Sequence, residues 1–173
     1  MSSILCIYYS RTGNTRRAMK EIAIALDAEM VAISDEQERD GWRGYLHCGM
    51  DAMRKSTHPL RPFVTEKPIE EYDLVIIGTP VWAGRCASPV RGLLKRRGLE
   101  MNKVAYVLTR SSSHRCEAVF QQMDLYTKKP HVLDVSLLPG DVSYKFWRDK
   151  FIQDVKRYLE SYHDDDGKKT KKR

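Results

Sequence analysis

Short runs of apolar residues alternate along the chain with segments whose apolar residues recur at helical spacing. The runs are almost continuous, as in Ser3–Tyr9 and Tyr72–Gly78, which is typical of central parallel strands covered on both faces. The helical segments place apolar residues three or four positions apart, for example Met19, Ile22 and Leu26. The chain therefore reads as alternating strands and helices.

Five strands are predicted, at Ser3–Tyr9, Glu29–Ile33, Tyr72–Gly78, Lys103–Thr109 and His131–Leu138. Four helices are predicted between and after them, at Gly13–Leu26, Ser88–Arg97, His114–Leu125 and Phe146–Tyr162. This alternation predicts a three-layer α/β/α sandwich with a five-stranded parallel sheet. We expect the strand order 2-1-3-4-5, one of the common orders of doubly wound sheets.

The segment Asp35–Glu71 is longer than a normal crossover connection. Within it, Gly41–Lys55 is predicted to be helical, with a Met-rich apolar stripe that favours a core contact over a partner surface. Pro59–Pro68 is predicted to be an extended loop.

Composition indicates one globular domain, residues 1–162, followed by a disordered charged tail, residues 163–173 (HDDDGKKTKKR). The chain of 173 residues has 42% hydrophobic residues and a formal net charge of +7. No apolar run is long enough for a membrane span, and no signal peptide is evident, so we expect a cytoplasmic protein. The four cysteines form no CxxC pair, so neither a metal site nor a disulfide framework is expected.

The tail sequence KKTKKR has the charge to contact nucleic acid or anionic lipid. Because no aromatic residues lie between the lysines, a solubilising role is favoured and nucleic acid is not an expected partner. The oligomeric state is left open by the sequence.

A hydroxyl-rich turn follows the first predicted strand and leads into a helix. Ser10, Thr12 and Thr15 supply hydroxyl groups, and Gly13 allows close approach of the backbone. The unpaired N–H groups and the dipole at a helix N-terminus favour an anion such as phosphate. The alternative is an ordinary helix N-cap.

Two further turns follow predicted strands at the same edge of the sheet. Thr79–Gly84 (TPVWAG) carries Trp82, whose ring either lies against a flat ligand or folds back over a neighbouring helix. Thr109–His114 is polar and rich in donors. With the expected strand order, all three turns surround the topological switch point, where open α/β sheets bind ligands.

These turns resemble those of the flavodoxin family, and the resemblance covers roughly residues 1–160. The first, Ser10-Arg11-Thr12-Gly13-Asn14-Thr15, is similar to the family's phosphate loop, Ser/Thr-x-Thr-Gly-x-Thr. The second is similar to the family's loop whose aromatic residue stacks on the isoalloxazine ring of FMN. The resemblance implies FMN as cofactor, with no metal.

The resemblance also assigns roles to residues. It implies that the phosphate is held by Ser10, Arg11, Thr12, Gly13, Asn14 and Thr15. The second loop would contribute Pro80, Val81, Trp82, Ala83 and Gly84, with Trp82 on one face of the ring. Donors to the polar edge of the flavin would come from Thr109, Arg110, Ser111, Ser112 and Ser113. No residue is assigned as a catalytic acid, base or nucleophile, because the flavin supplies the chemistry.

The function implied is electron transfer to a redox partner protein or a small-molecule acceptor. An NAD(P)H-dependent quinone-type reductase with FMN is the main alternative, and a binding module without flavin is a minor one. A cysteine phosphatase or arsenate reductase is disfavoured, because Cys6 lies inside a strand and too close in sequence to Arg11 for an oxyanion loop.

The chain departs from the electron-carrying flavodoxins in charge. Those proteins are strongly acidic, whereas this chain is basic, with Arg11, Arg85 and Arg110 in or beside the three turns. Their positive potential is expected to favour a phosphate and a reduced, anionic flavin. Cys86 and Cys116 each follow a proposed flavin loop, which suggests a redox dithiol, although packing of free thiols is the commoner arrangement.

Overall fold

A parallel sheet forms the centre of the structure, a computed structural model that describes residues 2–35, 50, 59–114 and 116–170, with side chains as far as residue 162. The strands are β1 Ile4–Tyr8, β2 Glu29–Ala32, β3 Leu74–Trp82, β4 Arg85–Cys86, β5 Val104–Thr109 and β6 Leu133–Leu137. The numbered α-helices are α1 Asn14–Leu26, α2 Ser88–Arg97, α3 Glu117–Thr127 and α4 Tyr144–Thr170, and short 3-10 helices lie at Ile69–Glu71 and Gly98–Glu100.

The sheet has the order β2-β1-β3-β5-β6, and all four pairings along it are parallel. The predicted five-stranded parallel sheet of order 2-1-3-4-5 is therefore confirmed, with β5 and β6 as its fourth and fifth strands. The additional strand β4 pairs antiparallel with the end of β3.

Side chains of the central strands alternate between two apolar layers. Leu5 and Ile7 point to the layer formed with α2 and α3, whereas Ile4 and Cys6 point to the layer formed with α1 and α4. Every residue of β1 is buried, as expected when both faces of a parallel strand are covered. The predicted three-layer sandwich is confirmed.

Strand β3 continues four residues past Gly78, into the segment predicted to be a loop. Trp82 pairs with Arg85 in a hairpin whose turn is Ala83-Gly84, with φ angles of 45° and 69°. Two consecutive left-handed residues are typical of the type I′ turn that connects antiparallel strands. The Pro and Gly residues suggested a loop, but Val81 and Trp82 have high strand propensity and here decide the structure.

Most other element ends lie within three residues of the predicted ones, and the largest difference is at the end of α4. Helix α4 ends at Thr170, eight residues beyond its predicted end at Tyr162. The division into a domain of residues 1–162 and a disordered tail stays a prediction.

Other expectations concern the long segment between β2 and β3. The predicted helix Gly41–Lys55 lies outside the described residues, except for Met50. Pro59–Pro68 carries neither helix nor strand, as predicted, apart from an isolated bridge between Asp35 and Leu60. Within the described part of the chain, none of the helices combines the length and the apolar character that crossing a membrane requires.

Gly78 lies where α1 packs against β1 and β3. A Cβ atom built on Gly78 would lie 2.5 Å from Met19 Cγ and 3.0 Å from Tyr8 Cβ. Glycine at this position therefore lets the first turns of α1 approach the sheet closely.

We expect Gly78→Ala to lower the free energy of unfolding by about 1–3 kcal/mol, because the added methyl group overpacks this contact. Urea unfolding would measure the change. Gly78→Ala should cost less when it is made in a Met19→Ala background than in the parent chain, because the side chain that the methyl group meets is then absent, although Met19→Ala is itself destabilising. Strict additivity of the two substitutions would contradict this explanation.

Candidate functional site

A cleft of about 350 Å³ lies at the carboxyl edge of the sheet, between the turns that follow β1, β3, β5 and β6. It is lined by Arg11, Thr12, Asn14, Thr15, Pro80, Val81, Trp82, Thr109, Arg110, Ser111, Leu138 and Pro139. Its volume lies in the range of small-molecule and cofactor sites. The structure therefore brings residues from all three predicted loops to one cavity.

Six of the predicted site residues lie in the same three turns without lining the cleft. They are Ser10, Gly13, Ala83, Gly84, Ser112 and Ser113. Two cleft residues, Leu138 and Pro139, were missed. A signal for them was present, because the Pro139-Gly140 pair follows a fifth strand whose carboxyl end reaches the same edge.

The start of α1 is open toward the cleft. Its N-cap is Gly13, which is left-handed (φ 92°) and has no side chain with which to cap the helix. The N–H of Gly13 donates to Ser10 Oγ (3.1 Å), and the intrahelical bonding begins with the N–H of Arg17, which donates to Gly13 O (2.9 Å). The N–H groups of the first turn therefore form the end of the helix that attracts anions.

Thr15 lines the cleft and also makes a contact that was not predicted. Its Oγ1 lies 2.7 Å from Oγ1 of Thr109, and both side chains are buried. This hydrogen bond joins the first turn of α1 to the end of β5. One hydroxyl donates to the other, which leaves one proton of the pair available to a ligand.

Trp82 forms part of the cleft wall but is itself largely buried, with 9% of its surface exposed. Its ring packs edge-on against Tyr9, with centroids 5.4 Å apart and planes at 87°. Such aromatic pairs contribute about 0.5–1.5 kcal/mol beyond the burial of area. The ring is therefore held in place by the protein, and its stacking on a flavin stays a prediction.

The hairpin that carries Trp82 is held against the core by hydrogen bonds of Thr79 and Arg91. The hydroxyl of Thr79 accepts from the N–H of Ala87 (3.0 Å) and donates to Pro80 O (2.9 Å). Arg91, which is 1% exposed, donates from Nη2 to Cys86 O (3.1 Å). These bonds preorganise the wall of the cleft.

Arg110 organises the third turn. Its N–H donates to Leu137 O (2.9 Å), and its guanidinium donates to Ser136 Oγ (Nε, 3.1 Å) and to Ser112 O. The turn is thus tied to β6, and the guanidinium charge is fixed at the cleft. Together with Arg11, it makes the cleft electropositive.

The cysteines of the described residues are poor nucleophiles where they are buried. Burial raises the pKa of Cys6 to about 12 and, despite nearby Arg91, the pKa of Cys86 to about 11. Cys116 is half-buried, and its thiol donates to His114 O. These properties disfavour both an oxyanion-type nucleophile at Cys6 and a reactive dithiol of Cys86 and Cys116.

We expect N-ethylmaleimide at neutral pH to modify Cys116 in the folded protein and to spare Cys6 and Cys86, because the thiolate is the reactive form. Mass spectrometry of the digested protein would locate the label, with the urea-unfolded protein as the control in which all four cysteines of the chain react. Labelling of folded Cys86 at the rate of Cys116 would contradict the burial argument.

Among the residues that the structure describes, no group of His, Cys, Asp and Glu side chains could hold a metal ion. The chemistry that the cleft offers is accordingly that of backbone donors, hydroxyls, two arginines and an aromatic wall. This set suits a planar, phosphorylated ligand.

Comparison with known proteins identifies the fold. A flavoprotein from Lactobacillus acidophilus NCFM, solved in complex with FMN, is 20% identical, with a TM-score of 0.65 over 85% of this chain and 99% of that chain. The chain has a flavodoxin-like fold. A protein from Bacteroides uniformis is 20% identical over 90% and 98% of the two chains (TM-score 0.69), and flavodoxin 2 from Bacillus cereus is 22% identical over 87% and 95% (TM-score 0.54).

No model of a known protein family matches the sequence, and no curated protein matches it. The flavodoxin-like fold therefore rests on three-dimensional similarity and on the agreement of the sheet order. The fold also agrees with the position of the cleft, which lies at the switch point between β1 and β3. On the two sides of this point, the crossover helices cover opposite faces of the sheet.

Proposed function

We propose that the cleft binds FMN and that the protein transfers electrons through it. The observation that carries the proposal is the position of the open start of α1 and of Trp82 on one cleft, which matches the two ends of a phosphorylated, planar cofactor. The flavoprotein from L. acidophilus, which has the same fold, was solved with FMN.

The phosphate would be held at the first turn of α1. Asn14 and Thr15 begin the helix at the cleft wall, and Arg11 and Thr12 lie in the turn before it. Backbone N–H donors, the helix dipole and one guanidinium together favour a doubly charged anion.

The ring system would lie between the hairpin and the third turn. Pro80, Val81 and Trp82 form the apolar part of the wall, and Arg110 and Ser111 provide polar groups. When bound, FMN supplies the redox chemistry, because it takes up and releases one or two electrons. The chain binds it, orients it and sets its electrostatic surroundings, and we assign no side chain as acid or base.

The partner in this proposal is a redox protein or a small-molecule electron acceptor, and the expected location is the cytoplasm. The alternative, an NAD(P)H-dependent quinone-type reductase, predicts direct reduction of the FMN-loaded protein by NADH or NADPH. Stopped-flow mixing under anaerobic conditions distinguishes the two, because a carrier remains oxidised with either nucleotide on the time scale of catalysis.

We expect Asn14→Asp to weaken FMN binding by about tenfold or more while leaving riboflavin binding nearly unchanged, because the new carboxylate repels only the phosphate. Titration of flavin fluorescence would give both affinities. A carboxylate in the first turn of a helix is favourable for folding, so loss of stability would not explain the result.

The matched control is Asn102→Asp. Asn102 is also exposed, but it precedes β5, whereas the cleft lies where β5 ends, and its side chain donates to Glu70 O. It should bind both flavins as the parent chain does. Equal losses for FMN and riboflavin in Asn14→Asp, or no loss for FMN, would place the phosphate elsewhere.

We also expect Arg11→Gln to make the midpoint potential of bound FMN more negative by about 20–60 mV, because a positive charge at the cleft stabilises the reduced, anionic flavin. Redox titration with indicator dyes would measure it. Arg16→Gln, at an exposed position of α1 outside the cleft lining, is the control and should shift the potential less. An equal or opposite shift in the two variants would contradict the assignment.

A further inference from the structure

The turns around the mouth of the cleft concentrate positive charge. We call residues 11–17, 82–85, 110–114 and 138–146 the rim; they comprise the four turns and the first residues of α1 and α4. The rim contains six Lys or Arg residues and one Asp, a formal charge of +5, whereas the whole chain carries +7. Arg16 and Lys145 are exposed at its outer side.

Asp141 of the rim and the neighbouring Glu21 are both engaged within the protein. Asp141 accepts from the N–H (2.8 Å) and the hydroxyl of Ser143, which lower the pKa of Asp141, and Arg110 lowers it further. Glu21, on the second turn of α1, accepts from Tyr144 Oη and Arg148 Nη1, both at 2.8 Å. These carboxylates are therefore compensated locally, and the rim presents mainly its positive charge.

The same rim carries two apolar side chains that the described structure leaves exposed. Val142 is 100% exposed and Phe146 is 63% exposed. Val142 follows Pro139 of the cleft wall by three residues, a span of at most about 11 Å. The Phe146 ring packs edge-on against Trp147, with centroids 5.2 Å apart, and most of its surface remains exposed.

The start of α4 is held rigidly beside the start of α1. Tyr144 bonds to Glu21, and the guanidinium of Arg17 lies 5.3 Å from the centroid of the Tyr144 ring. Lys145 and Phe146 therefore project from a fixed element next to the cleft. Exposed apolar residues bordered by arginines are typical of protein interfaces, in which aromatic residues and Arg are enriched.

We propose that the rim is a docking surface for an acidic partner protein, which it positions over the mouth of the cleft. The proposal rests on the electron-transfer function proposed above. The positive rim steers the acidic partner during encounter, and Val142 and Phe146 supply the apolar contact.

The first measurement uses redox proteins of opposite charge as probes. Plastocyanin, an acidic copper protein, and mitochondrial cytochrome c, a basic haem protein, each accept one electron from the reduced FMN-loaded protein in stopped-flow mixing. The rate with plastocyanin should fall as the ionic strength rises, and the rate with cytochrome c should increase. The opposite signs would overturn the proposal.

The second measurement compares variants of the rim with matched controls. Lys145→Glu should slow the reaction with plastocyanin about threefold or more at low ionic strength, and Lys156→Glu should change it less. Both lysines are exposed on α4, and each precedes an acidic residue by four positions, so each change places two like charges at that spacing. Lys145 lies in the first turn of α4, where a carboxylate is favourable, so its change should destabilise the helix no more than that of Lys156. Phe146→Ser should likewise slow the reaction with plastocyanin more than its control Leu125→Ser, which changes an exposed apolar residue on α3.

The third measurement does not need the flavin. In NMR titrations of the flavin-free full chain with plastocyanin, amide shifts should be concentrated in residues 11–17 and 138–146. Shifts elsewhere, or none, would contradict the docking surface even if FMN binds. Absence of FMN binding with shifts at the rim would instead refute the proposed function and keep the surface.

The reaction with ferricyanide separates a protein partner from a small anionic acceptor. Lys145→Glu should slow both ferricyanide and plastocyanin, because both are negative. Phe146→Ser should slow only plastocyanin. If Phe146→Ser leaves the plastocyanin rate and the NMR shifts unchanged, the rim attracts small anions and the proposal of a protein partner fails.

Discussion

The in-register parallel pairing of β1, β3 and β5 is the constraint on which the site depends. Tyr8 pairs with Gly78, and Gly78 pairs with Val107, so the carboxyl ends of three strands reach one edge together. A slip of one residue would turn the apolar side chains to the wrong face, which both core layers oppose. The positions of the three turns therefore follow from the packing of the core rather than from the turns themselves.

Contacts between the turns then convert a shared edge into a shaped cleft. The Thr15–Thr109 hydrogen bond links the first and third turns, and the Tyr9–Trp82 pair links the first turn to the hairpin. Gly78 allows α1 to begin close to the sheet. The anion-attracting end of α1 and the aromatic wall are thus held at a fixed separation before any ligand arrives, which reduces the ordering cost of binding.

The sequence predicts the layers and the strand order, because strands that are buried on both faces of the sheet require runs of apolar residues. Helix α2 also begins and ends where its pattern predicts. The sequence was less informative at the end of β3, where residues typical of turns competed with hydrogen bonding between strands. Pro80 and Gly84 indicated a loop, but pairing of Pro80 with Thr109 and of Trp82 with Arg85 extends the sheet. The burial of Trp82 on Tyr9 and the Thr15–Thr109 bond join residues distant in sequence, and no periodic pattern encodes such contacts.

A crystal structure of the chain with FMN is the most direct test of the central claim, that the open start of α1 and the hairpin of Trp82 form the two ends of one flavin site. The account predicts the phosphate within hydrogen-bonding distance of the first-turn N–H groups of α1 and the ring between Trp82 and the turn after β5. An empty cleft, or FMN bound at another surface with its phosphate away from α1, would contradict it.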